Sequence, residues 1–380
     1  MKIALAQINT TVGDFEGNLD LLKKAYQSAV ESGAELVVAP ELAITGYPPR
    51  DLLLKSGFIE GNLAALESLA EGIGKVGLIV GHVARNESQT GRPMLNVVSL
   101  LQEGKVVATR AKSLLPTYDV FDEDRYFEPA ADNRPVEYNG RSLGLTICED
   151  VWNDDAFWKG RRYEANPVES LVEQGAQIII NVSASPWSLG KERMRRDMLS
   201  SLAKKISRPV VYCNAVGGND ELVFDGGSLA LSETGKVLGS GSHFAEDLVV
   251  VDLDSEADSL PVQPDDMELL HDALVMGVRD YLGKCGFKSA VIGLSGGIDS
   301  AVTAAIAVKA LGAENVRGIS MPSQYSSAGS LDDSKALADN LGITYDVVPI
   351  RDGFKLMKKG LEPVFEGRPE DVTEENMQAR

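Results

Sequence analysis

The sequence predicts an α/β protein of two domains. Short apolar runs alternate with segments whose apolar residues recur at helical spacing. The chain has 380 residues, more than one hydrophobic core usually serves. Between two such patterns lies a polar, acidic, proline-containing stretch, Ser255 to Asp266. We therefore expect a first domain over 1–254, a linker over 255–266 and a second domain over 267–380.

In the first domain, Lys2 to Ile8 reads as a strand. Asn18 to Ser32 follows as an amphipathic helix, with Leu19, Leu22, Ala25 and Ala29 on one face and Gly33 as its stop. Glu35 to Ala39 is an apolar strand that delivers Pro40-Glu41-Leu42, and Gly46-Tyr47-Pro48-Pro49 is a loop. Asn62 to Ile73 is helical and Val76 to Ala84 a strand. Asn96 to Leu101 and Lys105 to Arg110 form a hairpin that leads into Lys112. Leu143 to Ile147 is a buried strand ending on Cys148-Glu149-Asp150. A helix around Val168 to Gln174 precedes the strand Gln177 to Val182, whose polar loop carries Ser185. Lys191 to Ile206 is a basic helix. Val210 to Ala215, a hairpin over Gly227 to Leu238 and the strand Leu248 to Leu253 close the domain. Strands alternating with helices suggest helix-covered sheets.

The second domain repeats the alternation. Helices are expected over Met267 to Leu282, Asp299 to Leu311, Ser330 to Leu341 and Phe354 to Phe365, and strands over Ser289 to Leu294, Val316 to Ser320 and Tyr345 to Val348. This order reads as a doubly wound parallel sheet.

Composition narrows the function. A net charge of -19 with no compensating basic tract argues against a nucleic-acid partner. Three well-separated cysteines suggest no disulfide framework and make a reducing cytoplasm the expected location. The chain opens straight into a strand pattern, so no signal peptide is expected, and no apolar run reaches the roughly 18 residues of a membrane span.

Three reactive residue types follow buried-looking strands: Glu41, Lys112 and Cys148. A cysteine nucleophile acts as thiolate and needs a base and a cation. Glu41 could take the proton, and Lys112 could stabilise an oxyanion. Taken singly, each could instead be an exposed acid, a snorkelling lysine or a core thiol. Their ordered contexts, Pro40-Glu41-Leu42, Lys112 before Leu114-Leu115-Pro116, and Cys148-Glu149-Asp150, resemble the nitrilase superfamily. That resemblance implies a four-layer αββα sandwich and a Glu–Lys–Cys amidase acting through a thioester. In its glutaminase branch, positions equivalent to Tyr47, Tyr118, Glu149, Ser185 and Lys191 bind glutamine; loop packing of the two tyrosines, an ordinary loop hydroxyl at Ser185 and a solvated first-turn lysine at Lys191 are the alternatives. Glu128 is either an auxiliary acid or a structural ion-pair partner.

In the second domain, Gly293-Leu294-Ser295-Gly296-Gly297-Ile298-Asp299-Ser300 joins a strand to a helix, with Asp299 or Ser300 expected near the N-cap. Two glycines allow close approach to phosphates, and a helix N-terminus favours an anion. The loop lacks the Walker A ending and the Rossmann glycine spacing. It resembles the PP-loop of ATP pyrophosphatases, which implies ATP as substrate and Asp299 as ligand to Mg²⁺. A plain glycine turn and helix cap is the alternative.

Together the two halves resemble the glutamine-dependent NAD⁺ synthetases. Ile319 to Ser327 and Glu374-Glu375-Asn376-Met377-Gln378-Ala379-Arg380 agree with that family, and Asn376 is implied to bind deamido-NAD⁺. Such chains run on past this last segment, so the sequence is expected to be truncated at its C-terminus. The resemblance further implies small-molecule substrates and a homo-oligomer. Three other readings stand beside it: another PP-loop amidotransferase, a stand-alone nitrilase-type amidase with a remnant second domain, and a non-catalytic assembly protein.

Overall fold

The computed structural model describes every residue except 89, 156, 161, 256–264, 366, 370, 379 and 380. Most of the expected linker therefore lies outside the described residues, as do Ala379 and Arg380. The chain divides into two compact units, Met1–Ala273 and Leu274–Arg380.

The first unit holds two six-stranded sheets. One is built from β1 (Lys2–Gln7), β2 (Leu36–Val38), β3 (Gly77–Arg85), β4 (Met94–Gln102), β5 (Lys105–Ala111) and the distant β14 (Asp247–Asp252), in the order β14-β1-β2-β3-β4-β5. The other takes β6 (Val136–Tyr138), β7 (Arg141–Ile147), β8 (Ile178–Ser183), β9 (Val210–Asn214), β12 (Leu229–Leu231) and β13 (Val237–Ser240), in the order β13-β12-β9-β8-β7-β6. Between β9 and β12 a short hairpin forms from β10 (Val216–Asn219) and β11 (Leu222–Asp225).

Four layers follow from what each face buries. Leu36, Val38, Ile79 and Val98 of the first sheet share one core cluster with Leu145, Ile147, Ile180 and Val182 of the second. Outside the first sheet, Val37 and Leu78 pack with Leu19 and Leu22 of α1 (Phe15–Glu31) and Leu66 and Leu69 of α2 (Phe58–Glu71). Outside the second, Ile179 and Val210 pack with Leu171 of α3 (Pro167–Glu173) and with Met198 and Leu202 of α4 (Lys191–Ile206). Strands covered on both faces need no polar alternation, which is why β2 reads as an unbroken apolar run and β8 opens on Ile178-Ile179-Ile180. Each fully buried Leu or Ile contributes about 1.5–3 kcal/mol.

Local chemistry sets the helix starts. Asp14 caps α1 by accepting from the Gly17 N–H at 2.9 Å, and Asn166 caps α3 ahead of Pro167 by accepting from Glu169 N at 3.3 Å. Helix α2 starts at Phe58, ahead of the expected Asn62, because Gly57 turns the chain at φ 84°.

The second unit contains a parallel sheet, β15 (Ala290–Gly293), β16 (Val316–Ser320) and β17 (Thr344–Val347), in that order. Helix α5 (Asp266–Lys284) precedes it. Helices α6 (Ile298–Leu311) and α7 (Ala328–Leu341) form the crossovers, with α8 (Arg351–Phe365) and α9 (Val372–Gln378) after them. Its core is small: Leu294, Ala304, Ala307, Val316, Ala338 and Ile343. Among the described residues no helix is long and apolar enough to cross a membrane.

Candidate active site

Strands β2 and β7 are internal, parallel-paired strands of their sheets, and each delivers one reactive residue beyond its C-terminal end. Glu41 follows β2, and Cys148 follows β7 and opens a single 3₁₀ turn, Cys148–Val151. Lys112 follows β5. Cys148 holds φ 42° and Leu42, beside Glu41, φ 47°. Non-glycine residues at such angles store strain that the surrounding structure must hold.

Asp150 supplies part of that restraint. It is buried, and its Oδ2 accepts the Ile147 N–H at 2.9 Å. Its Oδ1 accepts the N–H groups of Ser113 at 3.0 Å and Leu114 at 2.8 Å. One carboxylate thus ties the cysteine turn to the chain just past Lys112. Burial raises its pKa to about 7 against those three donors.

Glu41, Lys112 and Cys148 are all buried. Lys112 Nζ donates to Glu41 Oε1 at 2.8 Å and lies 2.8 Å from the carboxylate of Glu123. Asn96 Nδ2 donates to Glu41 Oε1 at 2.7 Å, and the Ala184 N–H to Glu41 Oε2 at 2.9 Å. Burial opposes the Lys112 ammonium, but Glu123, Glu41 and Cys148 outweigh it and hold its pKa well above the usual value. Burial first, then Glu41, pushes the Cys148 thiol far up, with only Lys112 among the leading influences pulling it down. Burial thus favours the neutral thiol of Cys148, so attack requires proton transfer to a neighbouring base.

Around this centre stand the other residues singled out in the sequence. Tyr47 is buried and its hydroxyl donates to Glu123 at 2.8 Å. Tyr118 donates to both oxygens of buried Glu149, at 2.8 and 2.9 Å. Ser185 is buried, with its N–H on Asn214 Oδ1 at 2.9 Å. Lys191 donates to Pro186 O at 2.6 Å and lies 5.6 Å from the Trp152 ring. Burial draws its ammonium pKa below the usual value, against the pull of Cys148.

Glu128 resolves as the structural alternative. It accepts the Arg92 N–H at 2.9 Å and pairs with Arg92 Nη1 at 3.0 Å. The acid beside Lys112 is Glu123, which the sequence reading missed. Asp119, Asp122, Glu123, Asp124 and Glu128 crowd one short loop with no period to select among them. Asn96 was missed as well, although an amide within the largely apolar strand β4 is a readable sign of a buried polar partner.

In the second unit, Gly293 ends β15 and Leu294 enters the core. The N-cap of α6 is Gly297, so Asp299 and Ser300 lie in the first turn rather than at the cap. Hydroxyls knit the loop: Ser300 Oγ donates to Gly297 O at 3.0 Å, Gly297 N to Ser295 Oγ at 3.3 Å, and the two hydroxyls stand 3.2 Å apart. Gly296 holds φ 79° with its α-carbon against the Ser330 backbone. Gly293, Leu294 and Ser295 line a cavity of about 840 Å³ with Ser320, Met321 and Phe354, within the range that takes a nucleotide-sized ligand. Ile298 and Asp299 are exposed, and Asn376 on α9 is exposed and does not line that cavity.

The fold and the buried carboxylate–ammonium–thiol centre define an amide hydrolase of the nitrilase type followed by an ATP-pyrophosphatase-like unit. The chain matches the carbon-nitrogen hydrolase family over residues 2–261 and the NAD synthase family over 270–380. It belongs to the glutamine-dependent NAD(+) synthetase family. A Synechocystis member is 45% identical over 388 residues, an alignment covering all of this chain and 70% of that protein. The Acinetobacter baumannii synthetase in complex with adenosine diphosphate has a TM-score of 0.90 and 34% identity, with 100% of this chain and 70% of that chain covered. A mutant amidase from Nesterenkonia sp. AN1, with acrylamide added at its active site cysteine, has a TM-score of 0.56 and 26% identity over 67% of this chain and 93% of its own.

Proposed function

We propose that this chain hydrolyses glutamine to glutamate and ammonia, and uses ATP to convert deamido-NAD⁺ and ammonia to NAD⁺, AMP and pyrophosphate. The observation that carries the first half is the buried Glu41–Lys112 pair together with the buried Cys148 at the end of β7. Glu41 takes the thiol proton as Sγ attacks the side-chain amide carbon. The Lys112 ammonium stabilises the oxyanion, held in place by Glu41 and Glu123. Collapse breaks the C–N bond, and Glu41 returns the proton to the leaving ammonia. Water, deprotonated by Glu41, then attacks the thioester carbon; the C–S bond breaks, glutamate leaves, and Glu41 returns the proton to the Cys148 thiolate. Tyr47, Tyr118, Glu149, Ser185 and Lys191 form the glutamine pocket.

The second half rests on the loop from Gly293 to Ser300. Its backbone and the Ser295 and Ser300 hydroxyls hold the pyrophosphate of ATP while the nicotinate carboxylate is adenylated, and ammonia displaces AMP. Asp299 is exposed and directly precedes Ser300 in the loop, and a carboxylate there suits a hard cation shared with phosphate oxygens, so Asp299 would hold Mg²⁺. Among the described residues no group of three His, Cys, Asp or Glu side chains forms a protein-only metal site. Bound there, the ion would offset phosphate charge. Asn376 is assigned to deamido-NAD⁺. A cytoplasmic location fits three free cysteines, and a homo-oligomer completes the reading, testable by light scattering.

The test measures NAD⁺ formed from deamido-NAD⁺, ATP and Mg²⁺, with glutamine or with ammonium as nitrogen source. Cys148→Ala should abolish the first and spare the second. Equal loss of both would refute the division of roles.

A further inference from the structure

Glu149 carries two phenolic hydrogen bonds, and the sequence reading accounted for neither Tyr163 nor the strap that holds it. Tyr163 OH donates to Glu149 Oε1 at 3.1 Å, the same oxygen that Tyr118 OH reaches at 2.8 Å. Two phenols thus converge on the carboxyl group of Glu149, which accepts from both. Burial, followed by Glu149, raises the pKa of both phenols. Tyr163 is fixed in turn by Asn153, which is buried. Asn153 Nδ2 donates to Tyr163 O at 2.8 Å and Ala165 O at 2.7 Å. Its Oδ1 accepts the N–H groups of Arg162 at 3.2 Å and Tyr163 at 3.3 Å. One amide thus clamps both edges of the strap. The same clamp sets the Arg162 guanidinium 3.9 Å above the Tyr118 ring.

We infer that Tyr163, anchored by Asn153, is a positioning residue that holds the Glu149 side chain in one orientation, and that this arrangement makes the site select an amide bearing an α-ammonium group over a plain carboxamide. The inference rests on the glutaminase reading of the same site. A carboxylate one residue from the nucleophile would repel nothing in a neutral amide and attract an ammonium. Its value as a selector depends on its staying fixed, which the two phenolic hydrogen bonds provide.

The experiment compares hydrolysis of glutamine with that of glutaramate, the same carboxamide lacking the α-amino group, in the wild type, Tyr163→Phe and Asn153→Ala. Tyr163→Phe removes one oxygen and should fold. It should raise KM for glutamine about tenfold, the scale of one hydrogen bond to a charged group, with kcat nearly unchanged. Glutaramate hydrolysis should not change, so the preference for glutamine falls by the same factor. Asn153→Ala should move the preference in the same direction. A preference that is unchanged in Tyr163→Phe while the wild type hydrolyses glutamine would overturn the inference and leave the glutaminase reading intact. A folded wild type that hydrolyses neither amide would overturn both.

Discussion

Gly81 tests whether the position of Glu41 governs the chemistry. It lies in β3 against the backbone of Pro40, Glu41 and Leu42, donating its N–H to Pro40 O at 3.2 Å and accepting from Ile44 N at 3.3 Å. A methyl at Gly81 would stand 2.4 Å from Leu42 N, 2.6 Å from Pro40 O and 2.7 Å from the Glu41 α-carbon. Its backbone is not in the left-handed region, so space alone forbids the side chain. Ordinary contact begins at 3.4 Å, so relief of the closest approach requires the Glu41 segment to retreat by about 1 Å (3.4 − 2.4). Such a displacement of a catalytic base costs about a hundredfold in rate, and overpacking a core costs about 1–3 kcal/mol in stability. Gly81→Ala should therefore lose about a hundredfold in kcat/KM for glutamine and remain folded. Gly74→Ala is the control: the nearest atom to its new methyl is the Tyr26 hydroxyl oxygen at 3.7 Å. Initial rates and urea midpoints of both variants make the measurement. A folded Gly81→Ala within about threefold of wild-type kcat/KM would refute the view that this strand contact fixes the base.

Other outcomes follow from the same geometry. Iodoacetamide should modify exposed Cys285 first and buried Cys213, whose thiol burial pushes up to about 12, last. Modification of Cys148 should fall sharply in Glu41→Gln, as peptide mass spectrometry would record. Asp150 has a folded pKa of about 7 against an ordinary 3.8, so it binds its proton more tightly in the folded state. The stability this gives is fully present below pH ~4 and is lost as pH rises through ~7, a loss of about 4 kcal/mol in order of magnitude. Asp150→Asn should accordingly gain on the wild type between those limits, read from urea midpoints across pH; a constant difference would contradict it. Gly296→Ala, at φ 79° and with its methyl 2.6 Å from Ser330 O, should weaken ATP binding by about tenfold or more in calorimetry and leave glutamine hydrolysis at the wild-type rate.

Much of this organisation is legible in the sequence because it is written in local patterns. The apolar run of β2, Leu143 to Leu145 in β7 and Ile178 to Ile180 in β8 announce buried strands, and each strand leads to a residue of the site. The hairpin of β10 and β11 is not legible: Val216-Gly217-Gly218-Asn219 has neither alternation nor β-branched weight, and its pairing depends on tertiary placement. Strand β6 is three residues long and gains meaning only beside β7. The same division runs through the site. Glu41, Lys112 and Cys148 stand at strand ends and can be found by context. Glu123, Asn96 and Tyr163 act through contacts with residues 11, 55 and 14 positions away, and no spacing in the chain encodes them.

The measurement that bears most directly on the account is the mass of the protein quenched in acid during turnover of glutamine. The account predicts a γ-glutamyl group bound as a thioester to the peptide containing Cys148, released by hydroxylamine and absent from Cys148→Ala. A protein that consumes glutamine steadily while its Cys148 peptide never carries that group, and whose Cys148→Ala variant still hydrolyses glutamine, would contradict it.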